Sequence, residues 1–184
     1  MSYSEAQAAE REKWRNFPRV RPQTIVVPGP GQESVWDYPR PPRVERVPHR
    51  VRVDFAGIVL ADSTRALRVC ETSSPPGYYI PPQDVAMAHL EPSARRSFCE
   101  WKGEASYWSV RVGDRFAKDC GWSYPEPDPG FEEIRDYLAF YPRRMEACWV
   151  GEQRGTPQPG LYYGGWVTPD LVGPFKGAPG SEAW

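Results

Sequence analysis

Residues 105–124, ASYWSVRVGDRFAKDCGWSY, have the pattern of two antiparallel strands joined by a tight turn. Side chains of different character alternate along residues 105–112, which is the period of a strand whose two faces meet different surroundings. A Gly-Asp pair at residues 113–114 supplies the turn, and residues 115–124 continue as the second strand. The segment therefore predicts a β-hairpin within a β-rich domain.

The two faces of the first strand carry different residues. Strand geometry places Tyr107 and Ser109 on one face and Trp108 and Val110 on the other. We expect one face to fill the core and the other to line a cavity for a flat or apolar small molecule, although core packing is the more common role of any single aromatic residue. The candidate ligand-binding residues are Tyr79, Tyr107, Trp122 and Tyr124.

Shorter strands are predicted on both sides of the hairpin, with little helix. A capping box at Ser4 and Gln7 predicts an N-terminal helix that ends near Arg15. An Asp-Pro pair predicts a second short helix over residues 131–138, and residues 73–77 are predicted to be a turn. The predicted strands cover residues 51–55, 58–61, 65–70, 139–141 and 145–150. The fold class is mainly β, with antiparallel sheets and one or two short helices.

The chain has 184 residues, of which 22 are Pro and 16 are Gly, and this composition favours one domain with many turns and with extensions. We predict an N-terminal helix and Pro-rich arm over residues 1–48. The β-rich core domain is predicted over residues 49–150. An irregular tail, rich in Gly, Pro and aromatic residues, is predicted over residues 151–184.

The charge and hydropathy of the chain argue against two classes of partner. The net charge is −1 and the pI is about 6.2, so no overall field attracts nucleic acid or an anionic membrane. No apolar run approaches the ~18 residues of a membrane helix, and residues 1–15 lack the apolar segment of a secretory signal. We therefore expect no nucleic-acid partner, no membrane partner and a cytoplasmic location.

The four cysteines are widely separated and form no C-x-x-C pair, the usual source of structural zinc ligands. His49 and His89 are the only histidines, and two histidines without a third ligand do not make a typical zinc site. We therefore expect no metal and no cofactor. Buried free thiols are the default expectation for the cysteines in the cytosol.

Cys99 and Lys102 lie in the densest polar cluster of the sequence, CEWKGEASY at residues 99–107. A lysine close to a cysteine favours the thiolate, so Cys99 is a candidate nucleophile and Lys102 its electrostatic activator. Glu71 and Asp84 are candidates for a general acid or base. The structural alternative is a buried thiol at Cys99 and an ordinary ion pair at Lys102.

Several stretches of the sequence form a recognisable set: Glu71, YIPP at residues 79–82, Asp84-Val85, CEWKGEASYW at residues 99–108, WSY at residues 122–124, and Phe140-Tyr141. Together they resemble the domain of unknown function 427 family, which has also been labelled nucleotidyltransferase-like. The resemblance implies a small domain similar to the β-tent fold of methionine-R-sulfoxide reductases and yippee-like proteins. Those relatives hold zinc with two C-x-x-C knuckles, which this chain lacks, and the chain also has no phosphate-binding glycine loop.

Two functions from different classes are consistent with the sequence. The first is a small-molecule-binding domain with an aromatic pocket and a Cys/Lys/carboxylate cluster; whether it is an enzyme stays open. The alternative is a protein-interaction or homo-oligomerisation module without catalysis, in which the arm and tail present exposed aromatic residues to a partner or a second copy. A closed pocket favours the first, and exposed aromatic residues on a flat face favour the second.

Overall fold

The N-terminal helix begins where the sequence predicts it. The computed structural model describes residues 4–184, and helix α1 spans Glu5–Arg15. The Ser4 hydroxyl accepts a hydrogen bond from the backbone N–H of Gln7, and the Gln7 side chain accepts one from the backbone N–H of Ser4. This capping box satisfies two N–H groups that the first turn of a helix leaves without partners. None of the side chains of α1 is buried.

Most of the remaining regular structure is β. In residues 4–184 the strands, in chain order, are β1 (Glu33–Ser34), β2 (Arg43–Arg46), β3 (Val51–Phe55), β4 (Ile58–Ser63), β5 (Leu67–Glu71), β6 (Ser74–Tyr79), β7 (Leu90–Cys99), β8 (Gly103–Val112), β9 (Arg115–Ser123), β10 (Ala139–Phe140), β11 (Ala147–Val150), β12 (Gln153–Arg154), β13 (Thr156–Pro157), β14 (Trp166–Val167) and β15 (Leu171–Val172).

Three antiparallel sheets form the framework of the fold. Their strand orders are β10-β9-β8-β7, β12-β11-β3-β4 and β2-β5-β6. Two short pairs complete the pattern: β13 pairs with β14 within the tail, and β1 of the arm runs parallel to β15 of the tail. The predicted fold class, mainly β with antiparallel sheets and little helix, is confirmed.

The hairpin on which the sequence analysis is based is formed by β8 and β9. Val112 pairs with Arg115 across the turn, and Gly113 has a φ of +54°, which a glycine adopts without steric cost. The predicted division of the faces is also observed. Val110 lies in the main core, whereas Tyr107 lies in a second cluster of buried aromatic residues.

Two local predictions were wrong, and one long strand was missed. Residues 73–77 belong largely to β6, since β6 is the edge strand of its sheet and an edge tolerates the missing N–H of Pro75 and Pro76. Strand β7 was not predicted, because it is an exposed edge strand whose sequence, LEPSARRSFC, has little apolar alternation. The predicted helix over residues 131–138 is only a 3-10 turn at Glu132–Ile134.

The buried residues form a main core and two satellite clusters. The main core joins Val51 and Val53 of β3 to Val110 of β8, Phe140 of β10 and Trp166 of the tail. Arm and tail therefore both contribute to the folded unit: β2, from the predicted arm, pairs with β5, and Trp166, from the predicted tail, is fully buried.

Candidate functional site

A cavity of about 670 Å³ lies against strands from two of the three sheets. Val69 and Tyr79 come from the β2-β5-β6 sheet, and Ala105, Tyr107 and Trp122 come from the sheet that contains β8 and β9. Its volume is within the range of roughly 300–1,000 Å³ that is typical of small-molecule sites. Seven of the eight predicted site residues line it: Glu71, Tyr79, Cys99, Lys102, Tyr107, Trp122 and Tyr124.

The aromatic wall of the cavity is held together by hydrogen bonds and ring contacts. The indole N–H of Trp122 donates to the Tyr79 hydroxyl over 3.3 Å, and the two rings meet edge to face at 6.3 Å. Trp122 also packs against Tyr141, with ring centroids 4.7 Å apart. Burial raises the pKa of both Tyr79 and Tyr124 above its ordinary value. These hydroxyls therefore act as neutral hydrogen-bonding groups.

A tight connection between β7 and β8 brings Cys99 and Lys102 together. Cys99 pairs with Gly103 across the two strands, so the three residues between them form the loop. Gly103 has a φ of +90°, in the region that favours glycine. The Lys102 ammonium nitrogen is 5.7 Å from the centroid of the Tyr124 ring, and Lys102 and Cys99 both line the cavity.

The electrostatic surroundings keep Lys102 charged. Burial by itself would lower the pKa of Lys102, but the Cys99 sulfur, Tyr79 and Glu71 together hold it above its ordinary value. Lys102 is therefore a positive charge on the wall of the cavity that Cys99 also lines.

The other three cysteines have different surroundings. Cys70, Cys120 and Cys148 are at most 1% exposed, whereas Cys99 is only half-buried. Burial raises the pKa of Cys70 to about 12 and that of Cys120 to about 11, and it raises the pKa of Cys148 further. These three thiols behave as small apolar core groups.

The two predicted carboxylates lie in different places. Glu71 lines the cavity, where its Oε1 accepts a hydrogen bond from Arg40 Nε at 3.0 Å. Asp84 is not among the lining residues. It accepts hydrogen bonds from Ser63 at 2.6 Å and from Arg65 Nη2 at 2.6 Å, and the Arg65 hydrogen bond lowers the pKa of Asp84. Asp84 thus joins the end of β4 to the following turn and stands apart from the cluster of Cys99, Lys102 and Glu71.

Comparison with protein families accounts for the central part of the chain. Residues 43–151 match the family model described as a domain of unknown function (DUF427). The chain belongs to the DUF427 family. No curated protein matches the chain. The DUF427 domain contains all the predicted site residues and the strands that position them.

The cavity also has lining residues from outside the DUF427 domain, which the sequence analysis missed. They include Arg19 from the arm and Gln158, Tyr162, Tyr163 and Lys176 from the tail. Two adjacent glycines mark where the tail meets the cavity wall. A Cβ at Gly164 would lie 2.4 Å from the Trp122 ring, and a Cβ at Gly165 would lie 2.5 Å from the Pro75 carbonyl oxygen. A Gly-Gly pair among aromatic residues was the available signal for this close approach.

Two further observations bear on the expected partners. Across residues 4–184, no group of three or more His, Cys, Asp or Glu side chains is arranged to hold a metal ion. Within the same part of the chain, no helix has the length and apolar character needed to cross a membrane. The expected absence of a cofactor stays a prediction.

Proposed function

We propose that the cavity of this DUF427 protein binds a small organic molecule with a flat, apolar body, and that Cys99 is the group that reacts with it. The observation that carries the proposal is the meeting of Cys99, Lys102 and Glu71 with four buried aromatic side chains in one cavity. The thiolate sulfur of Cys99 adds to an electrophilic carbon of a C=O or conjugated C=C bond in the bound molecule; the π bond breaks, its electron pair moves to the carbonyl oxygen, and water supplies the proton that this oxygen takes up. Lys102 stabilises the thiolate before it reacts.

The burial of the aromatic wall supports this function over an interaction module. Tyr79, Tyr107, Trp122 and Tyr124 are each at most 9% exposed. They are therefore turned toward the cavity and the core, which is the arrangement expected of a ligand pocket. Tyr162, at 65% exposed, is the one lining residue with a largely exposed ring among residues 4–184, and its position fits the mouth of the cavity.

A pair of substitutions at Gly77 tests whether the cavity is a binding site. Gly77 lines the cavity and pairs with Val69, whose side chain also lines it, so a side chain at position 77 points into the cavity. A Cβ at this position meets only the Tyr79 ring, at ordinary contact distances of 3.4 and 3.9 Å. We expect Gly77→Ala to keep ligand binding and Gly77→Leu to block it, with both proteins folded.

The measurement is a thermal-shift screen of flat aromatic metabolites, followed by calorimetric titration of the compounds that stabilise the protein. Each such compound should bind the Gly77→Ala protein with nearly unchanged affinity and the Gly77→Leu protein at least about tenfold more weakly, since Leu occupies the space of the ligand. Compounds that bind the Gly77→Leu protein as tightly as wild type would place the binding site elsewhere and refute the proposal.

The reactivity of Cys99 is tested by alkylation with iodoacetamide at neutral pH, in which the thiolate forms an S–C bond and iodide leaves. We expect Cys99 to react at least about tenfold faster than Cys70, Cys120 and Cys148, because those thiols are buried and their pKa values are raised. Mass spectrometry at several pH values measures the four rates separately. The rates should rise with pH as each thiol loses its proton.

Substitution of Lys102 separates an activated thiol from one that is merely accessible. Lys102→Met should slow the alkylation of Cys99 by about threefold to tenfold, because it removes the cation that stabilises the thiolate. Lys118→Met is the matched control, since Lys118 is an exposed lysine on β9 that does not line the cavity. If Cys99 reacts no faster than the three buried thiols, the nucleophile is wrong and only the binding site stands.

A further inference from the structure

Arg19 is a cavity-lining arginine whose hydrogen-bonding capacity is only partly used. Its Nη2 donates to the Trp14 carbonyl oxygen at 3.0 Å and lies 3.9 Å from Glu100 Oε1. Its Nε and Nη1 atoms are buried and have no hydrogen-bond partner within residues 4–184. A buried donor without a partner bears the full cost of its desolvation, so an acceptor supplied by a ligand would be bound favourably.

Lys176 from the tail approaches the same region of the cavity. Its ammonium group donates to the Trp184 carbonyl oxygen at 2.8 Å and lies 5.7 Å from the centroid of the Tyr163 ring. An ammonium group has three N–H donors, so it can bind a further acceptor and keep this bond. Both cations line the cavity, and the positive charge of Arg19 adds to the effect of burial in lowering the pKa of Lys176.

The local charges leave these two cations incompletely balanced. Glu71 is the nearest carboxylate of β5, and Arg40 already pairs with it at 3.0 Å. Glu100 Oε1 lies 3.9 Å from Arg19 Nη2, at the outer limit of ion-pair distance. Counted together, the cations Arg19, Arg40 and Lys176 exceed the carboxylates Glu71 and Glu100 by one positive charge, so an anion in this space would be attracted.

Two more carboxylates line the cavity but lie in its exposed part. Glu10 accepts a hydrogen bond from the Trp14 indole N–H and pairs with Lys13 on the surface of α1. Glu182 accepts one from the backbone N–H of Gly180. Both are exposed, so solvent screens their charges more strongly than those of the inner groups.

We propose that Arg19 and Lys176 form a subsite for the anionic group of the bound molecule, a carboxylate or a phosphate attached to a flat apolar body. This inference rests on the proposed function, since the aromatic wall must hold the rest of the molecule. Each unused N–H donor of Arg19 can make a charge-assisted hydrogen bond to either kind of anion. The subsite lies outside the DUF427 domain, so the arm and tail of this chain select the charge of the ligand.

Three compounds with the same ring system test the subsite: 2-naphthamide, which is neutral, 2-naphthoate and 2-naphthyl phosphate. Calorimetric titration of the full chain should show that at least one anion binds about tenfold more tightly than the amide, as a charge-assisted hydrogen bond requires. The anion that binds more tightly identifies the group as carboxylate or phosphate. Arg19→Gln should lower the affinity for that anion by about tenfold and leave the amide unchanged.

Lys176→Gln is the second variant, and it should reduce the same affinity by about threefold to tenfold. The matched controls are Arg46→Gln and Lys118→Gln, at exposed positions that do not line the cavity, and they should change nothing. Equal binding of all three compounds, or loss of affinity for the amide and the anions alike in Arg19→Gln, overturns the anion subsite and leaves the binding cavity standing. Binding of none of the three overturns both proposals.

Discussion

The arm and the tail both reach the cavity, but they are held to the DUF427 domain in different ways. Helix α1 of the arm buries no side chain and is held by polar contacts, among them Arg15 Nε to the Glu100 carbonyl oxygen at 3.0 Å and an ion pair between Arg11 and Asp128. The tail instead inserts Trp166 into the main core. The tail is thus part of the core, whereas the helix is attached to its surface.

The contacts of Trp166 show how firmly the tail is fixed. Its ring packs on Tyr78 with centroids 4.9 Å apart, and its indole N–H donates to the Phe140 carbonyl oxygen at 2.9 Å. Nearby, the buried Gln158 side chain accepts from the Gly165 N–H and donates to the Lys176 carbonyl oxygen. Apolar burial and satisfied polar groups therefore act together in this segment.

The largest expected effect is that of Trp166→Ala. Removing a fully buried ring leaves a cavity in the main core, so we expect a loss of about 3–5 kcal/mol in the free energy of unfolding. Trp14→Ala on α1 is the matched substitution in the arm. It should cost less than about 1 kcal/mol, because its ring is only half-buried, with Phe17 and the ammonium group of Lys13 beside it.

Urea denaturation at 25 °C measures both free energies. Equal losses for the two tryptophans would contradict the distinction between a tail built into the core and a helix docked on it. The slope of the transition should stay the same for Trp14→Ala, because that substitution changes neither the core nor the surface exposed on unfolding.

The sequence was sufficient to predict the cavity wall, because the wall belongs to regular strands. Alternation along β8 separates Tyr107 from Val110, and a glycine at position 103 allows the connection that joins Cys99 to Lys102. Side chains in a strand alternate between its two faces, so the residues that share a face can be identified from the sequence. Several residues of the cavity wall could therefore be predicted together. The same reasoning does not extend to Asp84, because its partners Ser63 and Arg65 could not be identified from spacing.

The other side of the cavity could not be predicted, because long-range contacts position it. Arg19 and Lys176 are distant in sequence and lie in segments without a periodic pattern. They are brought together by arm–tail contacts such as the parallel pairing of β1 with β15 and the hydrogen bond from Trp36 Nε1 to the Pro174 carbonyl oxygen. Local propensity carries no information about such pairs.

Deleting residues 1–30 should have a much smaller effect on stability than Trp166→Ala. The deletion removes α1 and the surface contacts of the extended segment after it, such as the bond from Val26 N–H to the Gly173 carbonyl oxygen at 3.0 Å. It leaves Val35, Trp36 and Tyr38, which are buried against Leu171. We expect the shortened chain to melt cooperatively, with a loss of about 1–2 kcal/mol, because most of the removed contacts are polar and, among residues 4–30, Ile25 alone packs against a buried apolar cluster.

Calorimetry of the shortened chain tests this expectation. A second truncation, a chain that ends at residue 157, removes most of the tail for comparison. The second truncation removes Trp166 from the main core and should abolish cooperative melting, since the core would lose its largest fully buried side chain. The chain without residues 1–30 also lacks Arg19. Its affinity for 2-naphthoate and 2-naphthyl phosphate should therefore fall to its affinity for 2-naphthamide. A chain that unfolds when only residues 1–30 are removed would show instead that the arm completes the core.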